Sequence, residues 1–572
     1  MVAAGIVSFV VLFLAMHRDL SIFDEGIILT DAMLVLHGEI IHRDFYSSYG
    51  PGQYYIIAGL FRLFGENFMV SRVYDLAVRS AIVAILFYIL RKQCPLLIAL
   101  IFSAIGGMWL LGIGAYLYPI FPCMLLSLIG SYLVTRVAEG PALSPAFISA
   151  GACTGLTALF RYDAGFFLLV AHLFSIAVLI ALSEPRETRV RRVLTAAAAY
   201  GGGTAVVFVP AAIVFLVLSP VEAFFSDIIE YPTKYYALMR GLPFPSLLDY
   251  TAELGSGIKG LMIGVIHHSL RATGIYLPLL AAGLALLELI WLAVRHLGSG
   301  TLRPGDFRVM ACLTVFGSTA VMLFLKGGIR VSPLHMLLGI VPALVVFAVL
   351  VDLWWRQENA MRLASAVVLL VALFPAVGVA ARELDQSRWW KDKSIAGWLA
   401  LRAGLITLPA TEQETCEAGP ASGIAALSPD YSRVANYLGA HTRPDERIFA
   451  ALDRHDKIFM DPDGLYFAAG RLPGTHWHQF DPGLQTRADI QTAIIADLQR
   501  NRVRWVVRDA SFDEVNEPNG SAQSSGITLL DHYLDGNYRL VASSGKVAIW
   551  LANGETPIAA LPIGKCEAAP VN

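Results

Sequence analysis

Eleven predominantly apolar runs occupy the first two thirds of the chain: 1–16, 68–90, 96–113, 116–135, 145–160, 164–183, 193–218, 274–296, 308–325, 333–352 and 363–381. A helix needs about 20 such residues to cross the hydrocarbon core of a bilayer. The runs therefore predict a polytopic α-helical membrane protein. Charge divides the chain in the same place: residues 1–381 hold 45 Lys, Arg, Asp and Glu, whereas the remaining 191 residues hold 43. The first part suits lipid and the last suits water. A net charge of −2 over 572 residues leaves no broad basic face, and nucleic acid is excluded as a partner on that ground.

The first run has no basic residue before it and no small-residue cleavage site before His17, so it is expected to be a retained helix rather than a signal peptide. Arg91, Lys92, Arg136, Arg186, Arg189, Arg191, Arg192, Arg295, Arg303, Arg308, Arg356 and Arg362 fall in one set of short connections; the opposite set holds Arg161, Lys326 and Arg330. Basic loops stay in the cytoplasm. An odd number of spans then puts the tail outside, with the long loops 17–67 and 219–273 on its side. The expected domains are a membrane unit, 1–384, and an extracytoplasmic unit, 385–572, in a plasma-membrane protein.

Each long outer loop carries structure of its own. Ile27, Ile28, Leu29, Ala32, Met33, Leu34 and Leu36 after Asp24 predict an amphipathic helix at the interface. A second apolar stretch, 53–64, is too short to span. The tail alternates expected strands (446–451, 502–507, 537–542, 546–551) with expected helices (430–440, 486–499, 526–534), giving a small α/β domain in which 509–526 reads as a surface loop. Cys94, Cys123, Cys153 and Cys312 lie in or beside apolar runs and act as small hydrophobes. Cys416 and Cys566 flank the polar domain; they form a disulfide or remain two thiols, and the sequence is balanced between the two.

Carboxylates at a membrane face must be paired, hydrated or used. Asp24 and Glu25 follow the first span, Asp44 lies in a Gly/Pro turn, and Asp163 sits in Arg161-Tyr162-Asp163 between two spans. Such groups serve as a general base, hold a divalent cation or orient a sugar; the alternative is helix capping by Asp24 and an Arg161–Asp163 ion pair. Arg240, Lys326, Arg330 and His335 share that side. The turn Lys326-Gly327-Gly328-Ile329-Arg330 suits a phosphate as well as it suits lipid headgroups. Asp75, between Arg72 and Arg79, reads as a neutralised intramembrane triad. Asp461-Pro462-Asp463-Gly464 reads as a turn. His476-Trp477-His478 is expected on a strand, both imidazoles on one face, short of a third metal ligand. Trp389-Trp390 reads as an interfacial anchor.

An acidic pair after the first span, the Tyr49-Gly50-Pro51-Gly52 turn, Arg161-Tyr162-Asp163, Arg330 five residues before His335, and an outer α/β domain together resemble the GT-C glycosyltransferases. The nearest branch is that of bacterial dolichyl-phosphate-mannose-protein mannosyltransferase-like and aminoarabinose-transferase-like enzymes. The resemblance implies a GT-C-type bundle of about 11 helices that moves a sugar from a polyprenyl-phosphate donor to a lipid, glycan or protein acceptor, usually with inversion. Carried over by position, it implies a base or acceptor-orienting role for Asp24, the second acidic position for Asp163 and a place near the donor phosphate for Arg330 and His335; Glu25 joins the catalytic carboxylates, and Arg240 and Lys326 the phosphate-binding cations, on their charge and side of the membrane. Asp44, Tyr49, His476 and His478 fall to the acceptor side. A divalent cation is left open. Ser332 stands where the family often has an acidic residue between the Arg and the His, and Trp389-Trp390-Lys391 departs from the Trp-Trp-Asp signature of oligosaccharyltransferases. The rival classes are a flippase for lipid-linked sugars, marked by inverted repeats and helices broken at mid-membrane, and a non-catalytic scaffold with an outer binding domain.

Overall fold

The computed structural model describes residues 1–136, 145–246, 258–299, 304–386, 394–403, 405, 427–556 and 569–570. Cys416, Cys566, Trp389 and Trp390 lie outside the described residues. In chain order the helices before the second long loop are α1 (Val2–Ala15), α2 (Asp24–Leu36), α3 (Gly52–Phe64), α4 (Phe68–Gln93), α5 (Leu96–Leu111), α6 (Ile120–Thr135), α7 (Pro145–Phe160), α8 (Tyr162–Ser183) and α9 (Arg186–Leu218). That loop contributes α10 (Val221–Phe225), two π-helical turns over 226–236, and α11 (Ala237–Arg240). The bundle closes with α12 (Ile258–Ser299), α13 (Pro304–Gly327), α14 (Pro333–Trp355) and α15 (Asn359–Gln386). Helices α4, α8, α9 and α12 to α15 are long and apolar enough to cross a membrane. The shorter apolar helices α1, α5, α6 and α7 fall on the other four expected spans.

Local chemistry sets several of these boundaries. Asn67 caps α4 by accepting from the Met69 N–H at 2.7 Å, and Arg91 and Lys92 close its last turn, where cations suit the dipole. Ser332 caps α14, with Pro333 in the first turn, where the missing N–H costs nothing. From Met336 to Val351 α14 is buried at every position. It is the axis on which α4, α5, α6, α12, α13 and α15 pack.

Beyond the membrane helices come α16 (Ile395–Arg402) and α17 (Pro429–His441), then β1 (Ile448–Leu452), α18 (Gly464–Ala469), α19 (Ala488–Arg500), β2 (Trp505–Asp509), α20 (Leu529–Asn537), β3 (Tyr538–Ser544), β4 (Val547–Ala552) and β5 (Ala569–Pro570). The sheet order is β1-β2-β4-β3-β5, with β1 and β2 parallel and the other pairs antiparallel. This is the expected α/β unit, its four main strands and three longer helices close to the positions read from periodicity. Helix α18 was not expected; at six residues it is too short for a periodic signal.

Four local readings change. Helix α2 is buried on all sides from Glu25 to Leu34, so it does not float at the lipid interface: α3 packs on it from the bundle and α18 from the α/β unit. Residues 476–478 are irregular rather than a strand. Arg72 turns away from Asp75 and pairs with Glu25 at 2.6 Å, leaving Asp75 to Arg79 at 2.7 Å. The stretch 509–526 is a docked element: Asn519 Nδ2 donates to the Gly241 carbonyl at 3.1 Å. Cys94, Cys123 and Cys312 are buried and Cys153 is partly buried, all as free thiols.

Candidate active site

The α/β unit reaches α2 through main-chain contact. Gly464 N–H donates to the Ile22 carbonyl at 2.7 Å, and Thr30 Oγ1 donates to the Asp463 carbonyl at 2.9 Å. A Cβ on Gly26 would stand 2.3 Å from the Gly464 nitrogen, so the two backbones meet only because both residues lack one. At this seam lies a cavity of about 260 Å³. Its walls come from distant stretches: Asp24 on α2; Tyr49; Tyr118; Arg161 and Asp163 at the start of α8; Tyr231, Tyr236 and Arg240; Lys326, Arg330 and His335 around the α13–α14 turn; and Asp461 and Asp481 from the α/β unit.

The charged groups form a connected set. Arg161 grips Asp163 with two bonds of 3.0 Å, and the buried Lys326 stands 3.6 Å from the same carboxylate. The expected Arg161–Asp163 pair is therefore present, inside the cavity wall. On the opposite side Arg330 pairs bidentately with Glu517 at 2.6 and 2.8 Å and donates to the Arg240 carbonyl at 2.8 Å. Arg240 lies 3.6 Å from Asp481 and donates to the Phe459 carbonyl at 2.5 Å. Ser332 Oγ sits 2.7 Å from His335 Nδ1, so this serine holds the imidazole as well as capping α14.

Asp24 has a different environment. Burial pushes its carboxyl above the ordinary range, against the lowering pull of Arg240, Arg330 and Arg161. A carboxylate with a raised pKa, facing cations and ending in a cavity, is poised to accept a proton.

Other expected site residues stand elsewhere. Glu25 points away from the cavity into Arg72, whose guanidinium also binds the His17 and Asp19 carbonyls and stacks on Tyr116 at 3.6 Å; it anchors α2 to α4. Asp44 closes its own turn by accepting from the Ile40 N–H and pairing with Arg43. His476 is turned onto Trp477, and burial pushes it down to about 4. His478 is fully buried, 3.2 Å from Asp31 and 3.3 Å from Asp463; although burial opposes it, these carboxylates push it up to about 10. It joins the α/β unit to α2, while the next three residues, Gln479, Phe480 and Asp481, line the cavity. Tyr49 lines it too, under the Arg161 guanidinium at 5.2 Å.

The sequence offered little for Asp461, Asp481, Tyr118 and Glu517. Asp461 lies in the irregular segment that leads into α18, where a turn was expected, and accepts from the Phe480 N–H at 2.7 Å. Among the described residues no group of three or more His, Cys, Asp or Glu is arranged to hold a metal ion.

Fold and site together define a polytopic membrane protein whose α/β unit roofs a charged cavity at the bundle's end. No protein-family model and no curated protein matches the chain. Among solved structures it is similar to ArnT from Cupriavidus metallidurans bound to undecaprenyl phosphate, at 12% identity over 96% of each chain with a TM-score of 0.48. The apo ArnT structure gives 13% and 0.49 over the same shares. The archaeal oligosaccharyltransferase AglB from Archaeoglobus fulgidus, in complex with an inhibitory peptide and a dolichol-phosphate, gives 11% identity over 100% of this chain and 76% of that one, with a TM-score of 0.47.

Proposed function

We propose that this protein is a GT-C-type glycosyltransferase that moves a sugar from a polyprenyl-phosphate donor to an acceptor hydroxyl at the outer face of the plasma membrane. One observation carries the reading: a carboxylate with a raised pKa, Asp24, faces a cavity that also gathers Arg240, Lys326, Arg330 and His335 beside the bundle's end. The cations meet the donor phosphate and stabilise the charge it gains as it leaves. Asp24 takes the proton from the acceptor hydroxyl. The acceptor oxygen then forms its bond to the anomeric carbon as the bond from that carbon to the phosphate oxygen breaks. The polyprenyl phosphate departs with the electron pair, and attack from the opposite face inverts the centre. Asp163, held by Arg161 and Lys326, is already neutralised and serves to set those cations. The outer side follows from the Lys/Arg bias of the short loops at the other end of the bundle.

The test is deletion of the gene, with mass spectrometry of undecaprenyl-phosphate-linked sugars and of surface glycans. One lipid-linked sugar is expected to accumulate while one glycan substituent disappears, and plasmid-borne wild type, but not Asp24→Asn, is expected to restore both. An unchanged profile overturns the reading.

A further inference from the structure

Leu117 stands in the left-handed region, with φ at 59° and its side chain fully buried. A leucine keeps that conformation only where its surroundings over-determine it, and such residues concentrate at working sites. The surroundings are a clamp. Leu117 N–H donates to Asp75 Oδ1 at 3.0 Å, and the Leu117 carbonyl accepts from Gln53 Nε2 at 2.8 Å. Asp75 is fixed by Arg79, which also donates to the Leu110, Ile113 and Ala115 carbonyls at 2.6 to 2.7 Å. The connection from α5 to α6 is thus bound to α3 and α4 at successive points.

What this conformation directs is the next side chain. Tyr118 is followed by Pro119, whose ring limits the chain entering α6, so the turn at Leu117 sets where the phenol points. The phenol enters the cavity wall. Its oxygen accepts from Arg161 Nη1 at 3.2 Å and lies 3.4 Å from His335 Nε2 and 3.5 Å from the Tyr49 hydroxyl. It therefore bridges two groups of the cavity: the Arg161–Asp163 pair beside Lys326, and His335.

We infer that Tyr118 is a positioning residue that fixes Arg161 and His335 for the donor phosphate, and that Gln53 and Asp75 set it by holding Leu117 left-handed. The inference rests on the reading that the cavity takes a polyprenyl phosphate.

The test titrates undecaprenyl phosphate onto the full-length protein in nanodiscs. Tyr118→Phe, which removes one oxygen and adds no bulk, is expected to raise Kd about tenfold, the size of a lost hydrogen bond to a charged group. Gln53→Leu is expected to weaken binding similarly. Adding Leu117→Gly to Gln53→Leu is expected to restore Kd to within about twofold, because glycine holds positive φ without steric cost. Adding it to Tyr118→Phe restores nothing. A merely structural Gln53 gains nothing from glycine at 117, so failure of that rescue, or wild-type affinity in Tyr118→Phe, overturns the inference while leaving the proposed function standing. Wild-type protein that takes up no undecaprenyl phosphate overturns both.

Discussion

Glu517 meets Arg330 with both oxygens, the fork that a guanidinium offers equally to a phosphate. Burial pushes the Glu517 carboxyl up, yet Arg330 and Asn519 hold it below its usual value, so it remains ionised and competes with any anion for that arginine. Glu517→Gln is expected to tighten undecaprenyl phosphate binding several-fold in nanodisc titrations and Arg330→Ala to weaken it at least tenfold; equal affinities in all three proteins would assign Arg330 to headgroup snorkelling. Asp24 makes a pH prediction of determinate sign. The base works only when ionised, and burial raises its pKa, so the transfer rate is expected to fall on acidification from a pH above the ordinary carboxylate value of about 4. Asp24→Asn is expected to lose about 10²–10⁴ in rate and to show no such limb; a profile flat down to pH 4 removes Asp24 from the proton transfer. Glu25, its neighbour in sequence, behaves otherwise. It forms a buried ion pair with Arg72, and Glu25→Gln is expected to cost about 3–5 kcal/mol of stability, because a guanidinium is left buried and unpaired. Both carboxylates were legible as acids that must be paired or used; which was which depended on Arg72, 47 residues away.

At the level of elements, α2 explains why part of the site could not be read ahead. Thr30 and Asp31 look like the polar side of an interfacial helix, but their partners are the Asp463 carbonyl and His478, more than 400 residues away in sequence. Local periodicity reports which positions are polar, not whether water or another domain satisfies them. The membrane helices and the strands of the sheet were legible because length and alternation are local properties. The alternation of His476 and His478 suits one face of a strand, but Pro473 and Gly474 precede them and the segment is irregular. The seam between α2 and α18 gives a structural test. Gly26→Ala puts a Cβ 2.3 Å from the Gly464 nitrogen, which only a backbone shift relieves, whereas Gly59 on α3 has open space around it. Thermal unfolding of the purified protein is expected to show a lower Tm and impaired undecaprenyl phosphate binding for Gly26→Ala, with Gly59→Ala at or above wild type, since alanine favours a helix interior. Matching behaviour of the two variants would mean that docking of the α/β unit tolerates separation of these backbones.

Across the whole molecule the cavity exists only if both long loops and the α/β unit lie at one end of the bundle, and contacts from every side agree on this. His478 reaches Asp31, Arg447 pairs with Glu39, Arg240 binds the Phe459 carbonyl, and Arg330 pairs with Glu517. Which side of the bilayer that end faces is a separate matter, and the proposed outward orientation rests on charge: the sequence puts twelve basic residues in the other set of short loops, and moving that many cations outward opposes insertion. The arithmetic of spans then makes a strict prediction. Among the described residues five apolar helices, α4 to α8, lie between His37 and Glu187, and five more, α9 (with Glu187 in its first turn) and α12 to α15, lie between Glu187 and Ser525. Odd numbers put His37 and Ser525 on one side and Glu187 on the other, and all three residues are exposed. In intact spheroplasts, His37→Cys and Ser525→Cys are expected to react with a membrane-impermeant maleimide, and Glu187→Cys only after permeabilisation. The four free thiols among the described residues are buried or partly buried, and the signal of the introduced cysteine is read after the wild-type background, Cys416 and Cys566 included, is subtracted. Labelling of Glu187→Cys alone from outside would turn the cavity toward the cytoplasm, where nucleotide sugars are at hand and a lipid-borne donor loses its reason. Labelling of His37 and Ser525 from opposite sides would break the seam on which Asp24, Asp461 and Asp481 come together.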